Sequence, residues 1–218
     1  MRILSSSLKD CVLRLIPMLL FTVVYMVCFF LLEQRSPDSY HIIESPWDKY
    51  IPFCEYFIIP YFLWFAYVVA GVLYLLVTDR AVYHRVCLLL TAGMTLFLII
   101  SYIYPNALMI RPGVFPRDNL FTRAVGRLYR IDTPTNVLPS MHVFNAILMW
   151  AGLKSGSGRL SRSRMVRFGS TVLMILIVLS TLFLKQHSLV DAVTGVLMAI
   201  LPALLICRTH AAPVRLPA

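Results

Sequence analysis

Charged residues are scarce in this sequence. Only 14% of its 218 residues are charged, whereas 59% are hydrophobic. In soluble domains roughly a quarter of the residues are charged, so this composition argues against a soluble globular protein. Several uninterrupted apolar runs approach or reach the roughly 20 residues that cross the core of a bilayer. We therefore expect a single integral membrane domain over residues 1–218, all-α and polytopic.

Closely spaced cysteines and metal-ligand patterns are also missing. The five cysteines are scattered and mostly lie within apolar runs, with no CxxC or His–Cys spacing. This distribution indicates neither a disulfide framework nor a zinc site. The sequence has no internal repeat with a period of roughly 20–50 residues. We expect no metal and no cofactor.

The apolar runs predict six transmembrane helices. The first has a basic start like a signal peptide, but it is too long for one and no small-residue cleavage site follows, so we expect it to be retained. The last apolar stretch is too long for one crossing, and Lys185–Ser188 therefore predicts a turn within it. A polar loop, a long loop and a basic, flexible loop are predicted at 33–55, 105–136 and 154–164. The predicted spans are residues 11–32, 57–77, 86–104, 137–153, 165–184 and 189–207.

The net charge of +10 is distributed according to topology. With six spans, both termini share one side, which carries twelve basic residues and two acids; the other side carries eight of each. Basic residues concentrate in the short cytoplasmic loops of membrane proteins. We therefore expect cytoplasmic termini, in a bacterial cytoplasmic membrane, and no nucleic-acid partner. The oligomeric state is open.

Three polar islands interrupt the apolar pattern, and all are predicted on the extracytoplasmic side. Ionisable groups at membrane depth are expensive and mark functional sites. His187 and Asp191 are spaced i, i+4, so on a helix they share a face and can form a hydrogen bond. The carboxylate would fix one ring nitrogen and leave the other as a nucleophile or base. His142, in the first turn of the fourth span, is a candidate acid or base.

Several residues near these histidines are candidate phosphate ligands. A helix start attracts anions through its free N–H groups, which here favours Ser140 and the Met141 amide. Arg111 offers a bidentate fork and Lys185 a further positive charge. The set supplies the parts for phosphoryl transfer through a phosphohistidine. Each residue alone also fits a structural role, such as a satisfied polar contact or, for Arg111, snorkelling to the interface.

At these residues the chain resembles the type 2 phosphatidic acid phosphatase superfamily, which also includes vanadium haloperoxidases and lipid phosphotransferases. The family motifs are Lys-x6-Arg-Pro, Pro-Ser-Gly-His and Ser-Arg-x5-His-x3-Asp. The resemblance covers roughly residues 100–200, with the motifs within 104–195. Gly195 follows the aspartate at a spacing often seen in the family. In this chain the motifs read Tyr104-x6-Arg111-Pro112, Pro139-Ser140-Met141-His142 and Ser180-Thr181-x5-His187-x3-Asp191.

The resemblance implies roles for these residues. His187 would be the nucleophile, His142 the acid for the leaving group and Asp191 the partner of His187. Phosphate binding is implied for Arg111, Ser140 and Ser180, with no metal requirement. Two family cations are missing, at Tyr104 and Thr181, and we infer that Lys185 replaces one of them.

Three functions are consistent with this pattern. The first is a membrane lipid phosphatase that hydrolyses a phosphatidate or polyprenyl-phosphate type of lipid at the extracytoplasmic face. The second is a lipid headgroup phosphotransferase, because Met141 and the Lys-Gln-His run resemble the inositol-phosphorylceramide and sphingomyelin synthase branch. The third is a non-enzymatic protein that binds or transports an anionic lipid. The bilayer and a lipid are partners in every case.

Overall fold

The computed structural model describes residues 2–35 and 39–208, with side chains from residue 9 onward. Most of the described chain is helical, and two short strands, β1 (His41–Ile42) and β2 (Asn106–Ala107), pair in parallel. The all-α prediction is confirmed for these residues. The helices are α1 (Arg2–Glu33), α2 (Ile58–Thr78), α3 (Arg80–Ile103), α4 (Leu120–Ile131), α5 (Met141–Ser155), α6 (Arg159–Arg162), α7 (Arg164–Phe183) and α8 (Leu189–Cys207).

Within the described residues, five helices are long and apolar enough to cross a membrane: α1, α2, α3, α7 and α8. Large hydrophobic side chains on their outer faces are exposed, among them Leu20, Phe65 and Leu201. In water such a surface would promote aggregation, whereas in a bilayer it contacts the lipid chains directly. These features indicate an integral membrane protein.

The sequence predicts six transmembrane helices, and the structure supports five of them. The fourth predicted span, residues 137–153, corresponds to α5, which has 15 residues. At 1.5 Å per residue this helix is about 22 Å long, shorter than the roughly 30 Å of a hydrocarbon core. It lies in the centre of the bundle and packs against α2, α3, α7 and α8. Buried core residues such as Phe144 and Leu148 line it on several sides.

The connections between helices gather at two opposite ends of the bundle. At the first, which we call the site end, residues 39–57 and 104–140 meet the α7–α8 turn, and the Cys54 amide donates to the Phe183 carbonyl at 3.0 Å. At the second, the basic end, the connections 78–80 and 155–164 meet. There the Ser157 amide donates to the Asp79 carboxylate at 3.0 Å. All three polar islands therefore lie at the site end.

The long loop predicted over 105–136 contains a helix, α4, that the prediction missed. Asn119 begins this helix with a capping box, because its side chain accepts from the Thr122 amide while the Thr122 hydroxyl accepts from the Asn119 amide. Val125 and Leu128 are buried against α2, and the three arginines of this helix are exposed. The helix is too short and too basic to resemble a span, which explains the error.

The basic connection predicted as a flexible loop also contains helical structure, the single turn α6. Ser161 is buried, and its amide donates to the Tyr74 hydroxyl at 3.1 Å. This contact fastens the connection to the end of α2. Two residues that entered the charge count, Asp38 and Arg215, lie outside the described residues.

Candidate active site

A buried aspartate from the first connection fixes the turn between α7 and α8. The Asp48 carboxylate accepts from the Ser188 hydroxyl at 2.6 Å and from the Leu189 amide at 2.8 Å. Ser188 caps α8 by accepting from the Val190 amide at 3.2 Å. The first N–H groups of a helix have no partner within it, so these two side chains determine where α8 begins. His187 is thereby held directly before the first turn.

His187 and Asp191 form the hydrogen bond that their spacing predicts. The distance between His187 Nδ1 and Asp191 Oδ2 is 2.6 Å, and both side chains are buried. The His187 amide also donates to the Thr181 carbonyl at 3.0 Å, which fixes the backbone. With Nδ1 engaged, Nε2 is the ring nitrogen left for chemistry. Asp191 Oδ1 is buried and has no hydrogen-bond partner among the described residues.

The start of α5 packs so closely against α8 that their backbones form a hydrogen bond. Ser140 is the N-cap of α5, and its amide donates to the Asp191 carbonyl at 3.0 Å. Gly195, one turn after Asp191, makes this approach possible. A Cβ placed on Gly195 would lie 2.7 Å from the Ser140 carbonyl oxygen and 3.2 Å from Val143 Cβ. The missing side chain of Gly195 therefore sets the separation between the two histidine-bearing segments.

His142 lies beside His187, within a set of aromatic rings. The two imidazole centroids are 5.7 Å apart, and the rings meet edge-on at 61°. Tyr61 and Trp64 of α2 pack against His142 with centroid distances of 4.5 and 4.4 Å. Within residues 2–35 and 39–208, the ring of His142 forms no hydrogen bond. Packing therefore orients this imidazole, and its nitrogens remain available for proton transfer.

Arg111 reaches the same turn from the connection between α3 and α4. Its guanidinium donates to the carbonyls of Asp132 at 2.8 Å and Tyr129 at 3.3 Å, and to Gln186 Oε1. It also stacks on the Tyr129 ring at 4.4 Å. Arg111 Nε is buried without a hydrogen-bond partner among the described residues. Since arginine has five N–H donors, the protein oxygens leave part of the fork free for another acceptor.

A small polar network holds Arg111 beside the histidines. Asp132 Oδ2 accepts from the Tyr61 hydroxyl at 2.7 Å and from Gln186 Nε2 at 2.9 Å. Gln186 therefore bridges Asp132 and Arg111, and it directly precedes His187 in the chain. Burial lowers the pKa of Arg111, and the Asp132 carboxylate partly offsets that effect. The guanidinium nevertheless stays charged at any ordinary pH.

Lys185 belongs to the same turn, but its ammonium is directed at the first connection. Nζ donates to the carbonyls of Asp48 at 2.7 Å and Ile51 at 2.5 Å. The residue adopts a left-handed backbone conformation, with φ of 55°, where the chain reverses. Burial lowers its pKa, and Asp48 offsets part of the effect. The structure thus shows Lys185 tethering the loop, and phosphate binding by this residue stays a prediction.

Two other predicted ligands lie deeper in the protein. The hydroxyl of Ser180 is fully buried and donates to the Ile177 carbonyl of its own helix at 2.6 Å. Met141 is buried at the first position of α5. The two positions where the family has cations hold neutral residues here. The Tyr104 ring stacks on the His41 ring with their centroids 4.0 Å apart, and the Thr181 hydroxyl donates to the Val178 carbonyl.

Sequence reasoning missed the residues that position this site. Asp48 lies far from the motifs in sequence, and only the fold brings it to the start of α8. Tyr61 and Trp64 resemble ordinary aromatic residues of a span. Gln186 and Asp132 had a weak signal, since both are polar residues within or beside the islands.

Together these residues can carry out acid–base and nucleophilic chemistry on an anionic group. A histidine with one nitrogen held by a carboxylate presents the other nitrogen as a nucleophile. A second imidazole nearby can donate and then accept a proton. An arginine fixed by several carbonyls presents its remaining N–H groups without further reorganisation. The fold and the site therefore define a class of protein: an integral membrane protein in which two histidines, a carboxylate and an arginine form a site suited to an anionic group.

Comparison with known families agrees with this class. The model of the PAP2 superfamily matches residues 109–215, just under half of the chain and all three of its polar islands. This match confirms the resemblance that the motifs predicted. The superfamily generally comprises phosphatases, which supports a phosphoric ester hydrolase at a coarse level. Searches of curated proteins and of solved structures found no match.

Proposed function

We propose that this protein is an integral membrane lipid phosphatase. It hydrolyses a lipid phosphate monoester or diphosphate through a phosphohistidine on His187. Asp191 holds the imidazole with Nε2 free, and His142 protonates the departing lipid oxygen and then activates water. Arg111 and the start of α5 supply positive potential for the phosphate, and Lys185 adds its charge from the α7–α8 turn.

The observation that carries this proposal is the joint geometry of the three catalytic residues. His187 Nδ1 lies 2.6 Å from Asp191, and the His142 ring lies 5.7 Å from the His187 ring, centroid to centroid. Three residues separated by up to 49 positions in sequence therefore share one end of one helix pair. Neighbouring helices with exposed apolar faces suit a substrate that remains in the bilayer.

The nature of the acceptor separates this proposal from a second candidate, a lipid headgroup phosphotransferase. The two family cations are replaced by Tyr104 and Thr181, whose side chains are engaged with His41 and with their own helix. Met141 occupies the glycine position of the second motif. These departures favour a lipid alcohol as an alternative acceptor, with the same phosphohistidine intermediate.

Purified protein with a panel of lipid phosphates tests the proposal directly. The panel contains phosphatidate, undecaprenyl diphosphate and phosphatidylglycerol phosphate. Release of inorganic phosphate supports the phosphatase, whereas transfer of the headgroup to a lipid alcohol without release supports the phosphotransferase. Binding without turnover across the panel would leave a non-enzymatic lipid-binding or transport protein.

The orientation of the site is part of the proposal, and labelling checks it. We expect cytoplasmic termini and an extracytoplasmic site end, with α5 counted as a sixth, short crossing. In a background without the five native cysteines, Val114→Cys should react only with reagent added outside the cell. Ser157→Cys should react only after the cytoplasm is opened. Both positions are exposed, and Val114 is 86% exposed, so failure to react reports sidedness. Reversed labelling would place the site in the cytosol.

The close approach of α8 to α5 predicts an effect of a single methyl group. Gly195→Ala should lower kcat by about 10- to 100-fold, because the new Cβ must push the Ser140 backbone away and misplacements of about 1 Å have effects of that size. The measurement is kcat on the best substrate of the panel, together with the melting temperature.

Gly169→Ala is the matched control for this variant. Gly169 also lies within a long helix, but a Cβ there meets no atom within 4 Å. This change should leave kcat within about twofold and stabilise α7 by about 0.5–1 kcal/mol. Equal activities of the two variants would show that the α5–α8 separation has no catalytic importance.

A further inference from the structure

A cavity of about 400 Å³ opens at the basic end, away from the catalytic histidines. It lies between the end of α5, the turn α6, the start of α7 and the end of α8, and Lys154, Arg162 and Arg167 line it. Its volume falls in the lower part of the range typical of small-molecule sites, which is roughly 300–1,000 Å³. None of its lining residues belongs to the three motifs of the proposed reaction.

The three cations around this cavity lack acidic partners. Across residues 2–35 and 39–208, none of Lys154, Arg162 and Arg167 forms an ion pair. Their known contacts are weaker: Arg167 donates to the Lys154 carbonyl at 3.4 Å, and the Lys154 ammonium lies 4.8 Å from the centre of the Trp150 ring. All three side chains are exposed and remain able to turn toward an anion.

Helix dipoles at this end do not cancel the positive charge. The carboxyl ends of α5 and α8 border the cavity, and each contributes about half a negative charge. The Asp79 carboxylate, which accepts from the Ser157 amide beside the cavity, adds one full negative charge. The three positive charges still exceed the negative sum by about one. The amino end of α7 borders the same space and adds positive potential. Because like charges brought together without partners repel one another, an anion in the cavity would relieve the repulsion.

An apolar cleft adjoins the cavity and shares two of its cations. This cleft, of about 60 Å³, is lined by Trp150, Leu153 and Val166 together with Lys154 and Arg167. The lipid-facing surface of α7 continues from it through Phe168, which is 72% exposed. A ligand with a phosphate and an adjoining hydrocarbon chain would thus place its phosphate in the basic cavity and its chain along the apolar cleft. A free phosphate would use only the first.

We propose that this cavity binds the headgroup of an anionic phospholipid at the basic end of the bundle. The phosphodiester lies among Lys154, Arg162 and Arg167, and the start of an acyl chain lies along Trp150 and Val166. Basic pockets between transmembrane helices are suited to such headgroups. The lipid is a ligand of this site and not a substrate, and the proposal does not depend on the phosphatase activity.

Fluorescence quenching by a brominated lipid tests this site in the full-length protein. The protein is placed in phosphatidylcholine nanodiscs, and dibrominated phosphatidylglycerol or dibrominated phosphatidylcholine is introduced at increasing mole fraction. Tryptophan emission should show a saturable component for the anionic lipid alone. Arg162→Gln combined with Arg167→Gln should weaken that component at least tenfold. Helical circular dichroism shows whether each variant is folded.

A second pair of arginines provides the control. Arg127→Gln combined with Arg130→Gln removes the same charge from exposed positions on α4 at the site end and should leave the saturable component unchanged. Equal quenching by both lipids, or equal loss in both double variants, would overturn the site and leave the cations a role in topology alone. Displacement of the lipid by millimolar inorganic phosphate would show a free-phosphate site instead.

Discussion

His187→Asn is expected to abolish phosphoenzyme formation from every substrate. Asparagine keeps a side-chain N–H for the buried Asp191 carboxylate, so this variant avoids leaving that carboxylate without its donor, which would destabilise the protein by about 1–3 kcal/mol. It has no nitrogen able to attack phosphorus. Rapid-quench mass spectrometry should find no phosphorylated peptide, and turnover should fall to background. His187→Ala should behave in the same way if it folds.

His142→Ala should fail at a different step. A substrate such as nitrophenyl phosphate has a leaving group that needs no proton, so His187 of this variant should still be phosphorylated. Activation of water would then be missing, and the intermediate should accumulate while turnover falls by about 10²- to 10⁴-fold, the usual contribution of general acid–base catalysis.

Asp191→Asn provides the control for orientation. It keeps the volume of the side chain but favours the wrong imidazole tautomer, so the rate should fall while the fold survives. A phosphate found on His142 would exchange the two histidine roles. Full turnover by the His187 variants would end the phosphohistidine proposal.

Arg111→Lys is expected to lower kcat/KM by about 10- to 100-fold, equivalent to about 1.4–2.8 kcal/mol. A lysine ammonium cannot reproduce the planar fork that contacts Asp132 and Gln186 and stacks on Tyr129. The positive charge remains, so the loss measures geometry. The inhibition constant of inorganic phosphate should rise in parallel with the loss of kcat/KM.

Arg123→Lys is the matched control for this change. Arg123 lies in the first turn of α4 and pairs with Asp118 at an exposed position, where such pairs contribute only about 0–1 kcal/mol. Its activity and phosphate inhibition should stay within about twofold of the unmodified protein. A lower melting temperature of Arg111→Lys with unchanged phosphate inhibition would give Arg111 a structural role only.

Most boundaries of the long apolar helices could be predicted because the length of an apolar run reports a membrane crossing. The exceptions are the polar starts of α1 and α3, which begin nine and six residues before the predicted spans. The last helix was predicted over 189–207 and is observed over the same residues. The contact between His187 and Asp191 followed from helical spacing. The helix α4 could not be found in this way, because its stability comes from the Asn119 cap and from packing against α2. Hydropathy detects neither.

The positioning residues escaped prediction for a related reason. Asp48 contacts Ser188 and Leu189 across about 140 positions of sequence. No local pattern records such a contact. Lys185 is a similar case: phosphate binding by this residue stays a prediction, and the fold adds contacts with two loop carbonyls that no local pattern records.

The central position of α5 has a consequence for the synthesis and membrane insertion of this protein. This helix is short, carries the polar Asn145 in its interior, and is shielded by α7 and α8, which are translated after it. A nascent chain that ends before α7 thus holds His142 on a helix whose protective neighbours do not yet exist. Packing of the α7–α8 hairpin against α5 brings His187, the proposed nucleophile, beside His142 and buries α5 in the same step. The proposed active site is therefore complete only after the α7–α8 hairpin has been inserted into the membrane.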